Sequence, residues 1–206
     1  MIVKNRIDNG RNWPVYFGDR TKYMYLSSTD AQANAGTIIW NDTAPTSSVF
    51  SVGDDNGVNE SSNTHLAWCW KAGTTGSGTT TGSGTGKAYS YSVNTTSGFS
   101  IIKYTGNGQN SAQGIPHGLG KTPSFVITKA LEATGDVMNW RCYHQSLGAT
   151  QYIQLNTIDA PGAFTDWANT SPTSQYFYVG GTNNTQPANE PKDYLSLIHI
   201  SEPTRP

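Results

Sequence analysis

Two stretches of this chain carry the same unusual sequence at the same spacing. Residues 40–53 read WNDTAPTSSVFSVG, and residues 167–180 read WANTSPTSQYFYVG. Tryptophan, threonine, proline, threonine, serine, phenylalanine, valine and glycine recur at matching positions. Self-similarity at this distance marks a repeated structural unit, so any fold for the chain must accommodate two copies of one unit.

The repeat extends beyond these two stretches. Small differences in length between the copies fall where turns tolerate them. We therefore predict a first repeat over residues 1–72 and a second over residues 98–194, joined by a flexible polar linker over residues 73–97 that contains TTGSGTTTGSGT. The matching residues are Lys4 and Lys129, Trp13 and Trp140, Tyr16 and Tyr143, Thr21 and Thr150, Tyr23 and Tyr152, and Leu26 and Leu155.

The repeated segments have the alternation of half-buried β-strands. Phe177 and Val179 share one strand face, as do Phe50 and Val52 in the first copy, while their neighbours vary. Charged residues make up 13% of the chain, about half the usual ~25%, and strand and turn formers replace the helix formers. These patterns predict an all-β protein built from two antiparallel β-sandwich units of jelly-roll type.

Both copies are expected to be incomplete. Residues 98–108 and 117–123 open the second copy and have no counterpart before Met1, so the first repeat is predicted to lack its N-terminal strands. The second repeat is predicted to break off at its last strand, in DYL. Residues 195–206, LSLIHISEPTRP, resemble the translation of a common sequencing adapter, and we expect them to lie outside the fold.

No motif of the chain predicts catalysis. Residues 118–122, GLGKT, lack the P-loop glycine spacing and precede a strand pattern, which favours a turn. His65, His117 and His144 lack metal-ligand spacing, so structural roles are expected. Residues 54–60, from Asp54 to Glu60, resemble a calcium loop only faintly; a solvated loop is favoured and calcium binding stays open. We predict a chain with no enzymatic activity, cofactor or metal.

Aromatic residues are the candidates for binding. The four tryptophans that recur in both copies are expected in the cores. Trp68 and Trp70 lie at strand spacing and could pack in a core or stack on a sugar, and Tyr176 and Tyr178 are expected to be exposed. These four residues are the predicted glycan contacts.

Charge and cysteine content exclude several classes of function. The net charge is −1 with no basic run, which argues against nucleic acid as a partner. No apolar run is long enough to span a membrane, so membrane insertion is not expected. Cys69 and Cys142 sit at unmatched places in the two copies and are expected to be free packing residues.

An ordered set of motifs resembles one known family. The motifs are GFSIIKYTGNG, HGLGKTPSFVITK, MIVKNR with NWPVY, SLGATQYIQL, TSSVFSVG and THLAWCWKAG. They are similar to a repeated domain of unknown function found in tail-fibre-like and other virion proteins of marine bacteriophages. The resemblance implies a non-enzymatic structural module of the virion tail, assembled in the host cytoplasm. Its partners would be other virion proteins and a glycan of the host surface, and homo-oligomers are expected of fibres as a class. The alternative is a lectin-like carbohydrate-binding module of a phage or a secreted bacterial protein.

Overall fold

The computed structural model of the chain describes residues 1–82, 86–132, 138–181 and 189–200. It divides into two compact units, unit 1 (Met1–Trp70) and unit 2 (Lys71–Pro206). Every strand pairing in the described residues is antiparallel, and strands dominate both units. The prediction of a mostly β protein with antiparallel sheets is confirmed.

Unit 1 is a single sheet with two short helices. The sheet has the order β4-β3-β2-β1-β5, so β5 lies at one edge. Its elements are β1 (Ile2–Asn5), β2 (Pro14–Val15), β3 (Lys22–Tyr25), β4 (Ala33–Asn34), α1 (Gly36–Trp40), α2 (Asn56–Asn59) and β5 (His65–Trp68).

The core of unit 1 lies between β1 and the two helices. Val3 from β1 packs with Ile39 and Trp40 from α1 and with Val58 from α2, and all four are buried. The helix α2 begins after Asp55, whose carboxylate accepts a hydrogen bond from the Gly57 amide at 2.7 Å. This N-cap satisfies an amide that a helix of four residues leaves without an internal partner.

Unit 2 contains two sheets. The larger has the order β14-β13-β12-β11-β16-β9-β8-β6, and the smaller has the order β15-β10-β7. The strands are β6 (Thr74–Thr79), β7 (Thr81–Gly82), β8 (Ala88–Asn94), β9 (Phe99–Thr105), β10 (Gln113–Pro116), β11 (Phe125–Ala130), β12 (Arg141–His144), β13 (Gln151–Gln154), β14 (Gly162–Ala163), β15 (Tyr176–Val179) and β16 (Asp193–His199).

Both sheets of unit 2 contribute to one hydrophobic core. Ile102 and Val126 come from the larger sheet, while Ile115 and Phe177 come from the smaller one, and each is 0% exposed. Trp167 joins this core from the turn before β15. The alternation predicted for β15 is confirmed, since Phe177 and Val179 are buried and their neighbours are half-buried.

Five strands of unit 1 and five strands of unit 2 follow the same order. The sequence β4-β3-β2-β1-β5 in unit 1 corresponds to β14-β13-β12-β11-β16 in unit 2. The registers correspond as well, because Lys4 pairs with Leu66 where Lys129 pairs with Leu195. The indole N–H groups of Trp40 and Trp167 donate to the carbonyls of Lys22 and Gln151, at 3.0 and 3.1 Å.

The described residues of the expected flexible linker over residues 73–97 form strands instead. Its strands β6 and β8 pair with each other, and β8 also pairs with β9. The register sets Gly76 opposite Tyr91 and Gly78 opposite Tyr89. A side chain at Gly76 would lie 2.6 Å from the Tyr91 ring, so the glycines make room for the tyrosines across the strand. The glycine-rich composition reflects this packing rather than a linker.

The last strand of unit 2, expected to be missing, is present in the structure. β16 lies between β11 and β9 and pairs with both of them. Leu195 and Ile198 are 2% and 1% exposed, and an apolar run of this kind suits a strand with a neighbour on each side. The residues expected to lie outside the fold therefore contribute to β16 as far as His199, while residues 201–206 lie outside the described part of the chain.

A strand expected in unit 1 does not form. Phe50 and Val52 match Phe177 and Val179 in sequence, yet residues 49–52 adopt no regular structure and Phe50 is 38% exposed. In unit 2, β15 is held by β10, which pairs with it over four residues. The described sheet of unit 1 contains no strand corresponding to β10, so no strand pairs with this segment.

We expect Trp40→Ala and Trp167→Ala each to lower the free energy of unfolding of its own unit by about 3–5 kcal/mol. Each indole is fully buried, and truncation leaves both a cavity and an unpaired strand carbonyl. Urea unfolding followed by circular dichroism measures the change. Ile158→Ala, at a side chain that is 103% exposed, is the control and should change stability by less than about 0.5 kcal/mol. A loss below about 1 kcal/mol in both tryptophan variants would contradict this account of the core.

Candidate functional site

An aromatic surface lies on unit 1. The Trp13 and Trp68 rings stack with centroids 6.3 Å apart and planes 19° from parallel. The Lys4 ammonium lies 5.3 Å from the centroid of the Trp13 ring, within the range of a cation–π contact. Leu66 and Trp68 are 42% and 39% exposed. We call Lys4, Trp13, Leu66 and Trp68 the Trp13–Trp68 surface.

The strand register assembles this surface. Residues opposite each other in an antiparallel pair share a face, and β5 sets Leu66 opposite Lys4 and Trp68 opposite Ile2. Trp13 directly precedes β2, which pairs with β1 through Val15 and Ile2. Two planar rings with a cation beside them can stack on the apolar face of a sugar and donate to its hydroxyls.

The predicted pair of Trp68 and Trp70 is not two residues of one strand. β5 ends at Trp68, so Trp70 lies beyond the strand, where it is 39% exposed. The residue that stacks on Trp68 is Trp13, which the repeat pattern assigned to the core. Its counterpart Trp140 is indeed 0% exposed, so matching tryptophans have different surroundings in the two units.

The predicted tyrosine pair forms a second aromatic surface, on unit 2. Tyr176 and Tyr178 project from the same side of β15, with ring centroids 6.3 Å apart and planes tilted by 45°. Gly114 on β10 pairs with Tyr178, and a side chain there would lie 2.7 Å from the Thr81 hydroxyl. The glycine therefore leaves space beside both rings. We call Tyr176, Tyr178 and Gly114 the Tyr176–Tyr178 surface.

Two of the three carboxylates of residues 54–60 have structural partners. Asp55 caps α2, and Glu60 accepts hydrogen bonds from Asn5 and Asn63 at 2.9 and 2.8 Å. Arg11 also reaches Glu60, at 3.3 Å. In the described residues, no group of three or more His, Cys, Asp or Glu side chains is arranged to hold a metal ion.

His117 and Cys142 of unit 2 have structural surroundings. His117 is 0% exposed, its Nδ1 accepts from the Leu119 amide, and its Nε2 lies 3.2 Å from the Thr173 carbonyl. Burial lowers the pKa of His117, which favours the neutral ring that these contacts require. Burial also raises the pKa of Cys142 to about 12, as in an inert packing thiol, whereas Cys69 is exposed.

Unit 2 also buries an ion pair. The Arg141 Nε lies 3.5 Å from an Asp166 carboxylate oxygen, and the Arg141 guanidinium lies 3.5 Å from the centroid of the Tyr152 ring. Burial raises the pKa of Asp166 to about 6, although the arginine acts in the opposite direction. Burial outweighs the arginine because the contact lacks hydrogen-bond alignment and neither carboxylate oxygen has a hydrogen-bond partner among the described residues.

Sequence reasoning missed two parts of these surfaces. Trp13 and Lys4 recur in the second copy, and recurrence argued for the core. The role of Gly114 depends on its pairing with β15, which is distant in sequence. The one available signal was NWPVY beside MIVKNR, which sets Trp13 directly before the strand that neighbours the strand of Lys4.

Comparison with known families identifies one match. A family model described as a domain of unknown function, DUF7483, matches residues 53–201, well over half of the chain. The match includes the strands β6 and β8 and extends through β16. No curated protein and no solved structure matches the chain. In the part of the chain that the structure describes, no helix is long and apolar enough to cross a membrane.

We expect Asp166→Asn to change how stability depends on pH. A carboxyl group with a raised pKa in the folded state binds protons more tightly there than in the unfolded chain, so its contribution to stability falls as pH rises from about 4 to about 6. The stability of the variant relative to the parent chain should therefore increase between pH 4 and pH 7, by up to about 3 kcal/mol. The measurement is urea unfolding at several pH values, with the exposed Asp159→Asn as the control for the lost charge. A relative stability that stays constant across this range would rule out the assigned pKa.

Proposed function

The chain belongs to the DUF7483 family, a domain of unknown function, and we propose that it is a structural module of a bacteriophage virion. In this proposal it forms part of a tail fibre or tail-associated protein that contacts the host surface. Its proposed role is to give the tail fibre length and to contact other virion proteins, and it performs no enzymatic reaction. The observation that carries the proposal is the correspondence in strand order and register between unit 1 and unit 2.

We interpret the two units as copies of one repeat. Their matching tryptophans make the same hydrogen bond, and both also meet a tyrosine ring edge-on, at 5.8 Å for Tyr16 and Trp40 and at 5.9 Å for Tyr143 and Trp167. The segments that follow repeat as well, since the Thr46 and Thr173 amides both donate over 2.8 Å to the carbonyl three residues later. A polypeptide that repeats one β unit gains length without requiring a new fold, which suits a fibre.

The complete repeat is, in this proposal, a β-sandwich of jelly-roll type. Support comes from unit 2, where the eight-stranded and three-stranded sheets share one core. Sandwich units present their loops and outer faces to solvent, where partners bind. The proposed partners are other virion proteins, further copies of the chain and a glycan of the host surface. Nucleic acid is not among them, since the net charge is −1.

Proteomics of purified virions tests this proposal. Phage particles are purified on a density gradient from a source whose DNA encodes the chain. Mass spectrometry then searches the particles for peptides of this chain. We expect them to comigrate with intact particles, and antibodies to the chain should label the tail in electron micrographs. Recovery of the chain only from cell lysate or secreted protein, with virions free of it, would overturn the virion assignment.

A lectin-like module is the second candidate, and the Trp13–Trp68 surface is the observation that favours it. Two stacked indoles beside a lysine form a platform on which a sugar ring could lie. The Tyr176–Tyr178 surface is a second possible platform on unit 2. The two candidate functions are compatible, because a tail protein that recognises its host can bind a glycan.

We expect Trp68→Ala to weaken glycan binding at the Trp13–Trp68 surface by up to about tenfold, since an aromatic contact contributes up to about 1.5 kcal/mol. A glycan array probed with the labelled full chain identifies the ligand, and calorimetry measures the change in affinity. Ile158→Ala removes an exposed apolar side chain elsewhere and should bind as the parent does. The Tyr176→Ala and Tyr178→Ala variants test the second surface in the same way. If no glycan binds the full chain, the lectin function is wrong, while the virion assignment is unaffected.

A further inference from the structure

The edge strand of unit 1 differs from its counterpart in unit 2 in one respect. Among the described strands, β5 pairs with β1 alone and lies at the edge of its sheet, whereas β16 pairs with β11 on one side and with β9 on the other. The two strands correspond in register, so Leu66 and Ala67 occupy the places of Leu195 and Ser196. An edge strand presents backbone groups that a further strand can pair with.

Backbone hydrogen bonding fixes which groups of β5 point outward. The Arg6 amide donates to the Thr64 carbonyl at 2.8 Å, and bonding alternates along an antiparallel pair. Leu66 therefore directs its N–H to β1, while Ala67 directs its N–H to the outer edge. In unit 2 the Ile200 amide donates to the Gly98 carbonyl at 3.0 Å, and by the same alternation Ser196 directs its N–H to β9. Ala67 of β5 and Ser196 of β16 thus direct their backbone N–H groups to corresponding edges of their strands.

Two apolar side chains of unit 1 are exposed where their counterparts in unit 2 are buried. Phe50 is 38% exposed, whereas Phe177 is 0% exposed, because Tyr104 of β9 meets it edge-on at 5.9 Å and Ile115 of β10 pairs with it. Leu66 is 42% exposed, whereas Leu195 is 2% exposed. In unit 2, Phe177 contacts β9 and β10, and Leu195 lies on β16, the strand that pairs with β9.

We propose that the outer edge of β5, together with Phe50, forms a binding site for an extended segment with the sequence character of residues 98–117. The segment adds to unit 1 as β9 adds to β16, with its counterpart of Ile102 opposite Ala67 and its counterpart of Tyr104 opposite His65. Its second strand, the counterpart of β10, pairs with residues 49–52 and covers Phe50. The inference rests on the likeness of the two units, which the proposed function also uses, and does not depend on a location in a virion.

The chemistry of the occupant follows from β9 itself. Its inward residues Ile102 and Tyr104 are 0% and 1% exposed in the core of unit 2, while Lys103 between them is exposed. A segment with this alternation brings apolar side chains to the face of the sheet that carries the core and keeps its charge outside. The backbone supplies affinity, and Phe50 supplies a pocket wall for the aromatic residue.

The test uses the full chain and a synthetic peptide of residues 98–117. Fluorescence anisotropy of the labelled peptide measures binding. The control peptides carry one N-methyl group each, on Ile102 or on Ile101. In the β9 arrangement the Ile102 amide faces β16 and the Ile101 amide faces away, so N-methylation at Ile102 should weaken binding by at least about tenfold and N-methylation at Ile101 by less than about threefold.

A chain variant locates the site. Ala67→Pro removes the outward N–H of β5 and should abolish peptide binding, while circular dichroism and urea unfolding check that the variant is folded. Binding that survives in folded Ala67→Pro, or N-methyl peptides that bind alike, would overturn the proposal, since the peptide would then displace β9 of unit 2 or bind non-specifically. Absence of peptide binding, with self-association that Ala67→Pro abolishes, would also overturn it in favour of an edge-to-edge dimer. None of these results bears on whether the chain is found in virions, so the two proposals can fail separately.

Discussion

A buried tryptophan holds each unit together where local pairing ends. Trp40 follows β4 in the chain, and Trp167 follows β14. Their indole N–H groups donate to the carbonyls of Lys22 and Gln151, the first residues of β3 and β13. The bond satisfies a carbonyl inside an apolar environment, where leaving it unpaired costs about 1–3 kcal/mol. The chain then reverses through two left-handed residues, Asn41 and Asp42 in unit 1 and Ala168 and Asn169 in unit 2. The rest of each core packs around this fixed point.

The buried residue that precedes the tryptophan differs between the two units. Next to Trp40, unit 1 buries Ile39, whereas unit 2 buries Asp166 at the corresponding place and pairs it with Arg141 on the neighbouring strand. A buried ion pair rarely stabilises a fold more than apolar residues of the same size, and here burial exceeds the effect of the arginine on the carboxyl pKa. Unit 2 can carry this cost because its core extends over two sheets, whereas the core of unit 1 is smaller.

The sequence predicts the strand class and the tryptophan anchors, because alternation and repetition are local signals. Phe177 and Val179 are buried as their spacing indicates. Residues 74–94 could not be assigned in this way, since glycine, serine and threonine have the composition of a linker until Gly76 is seen opposite Tyr91. The Trp13–Trp68 surface could not be predicted for the same reason. It joins residues far apart in sequence through a strand register that no local pattern encodes. Pairing between distant strands was the missing information throughout.

The contrast between β5 and β16 shows what the outer edge of a sheet gains from a second neighbouring strand. Both strands have the same register with their first neighbour, and one of them has a second neighbour within its own unit. A segment that adds along β5 would turn an exposed edge into a continuous sheet. The added pairing would be specific in register, because a shift by one residue would turn the counterpart of Ile102 away from the core.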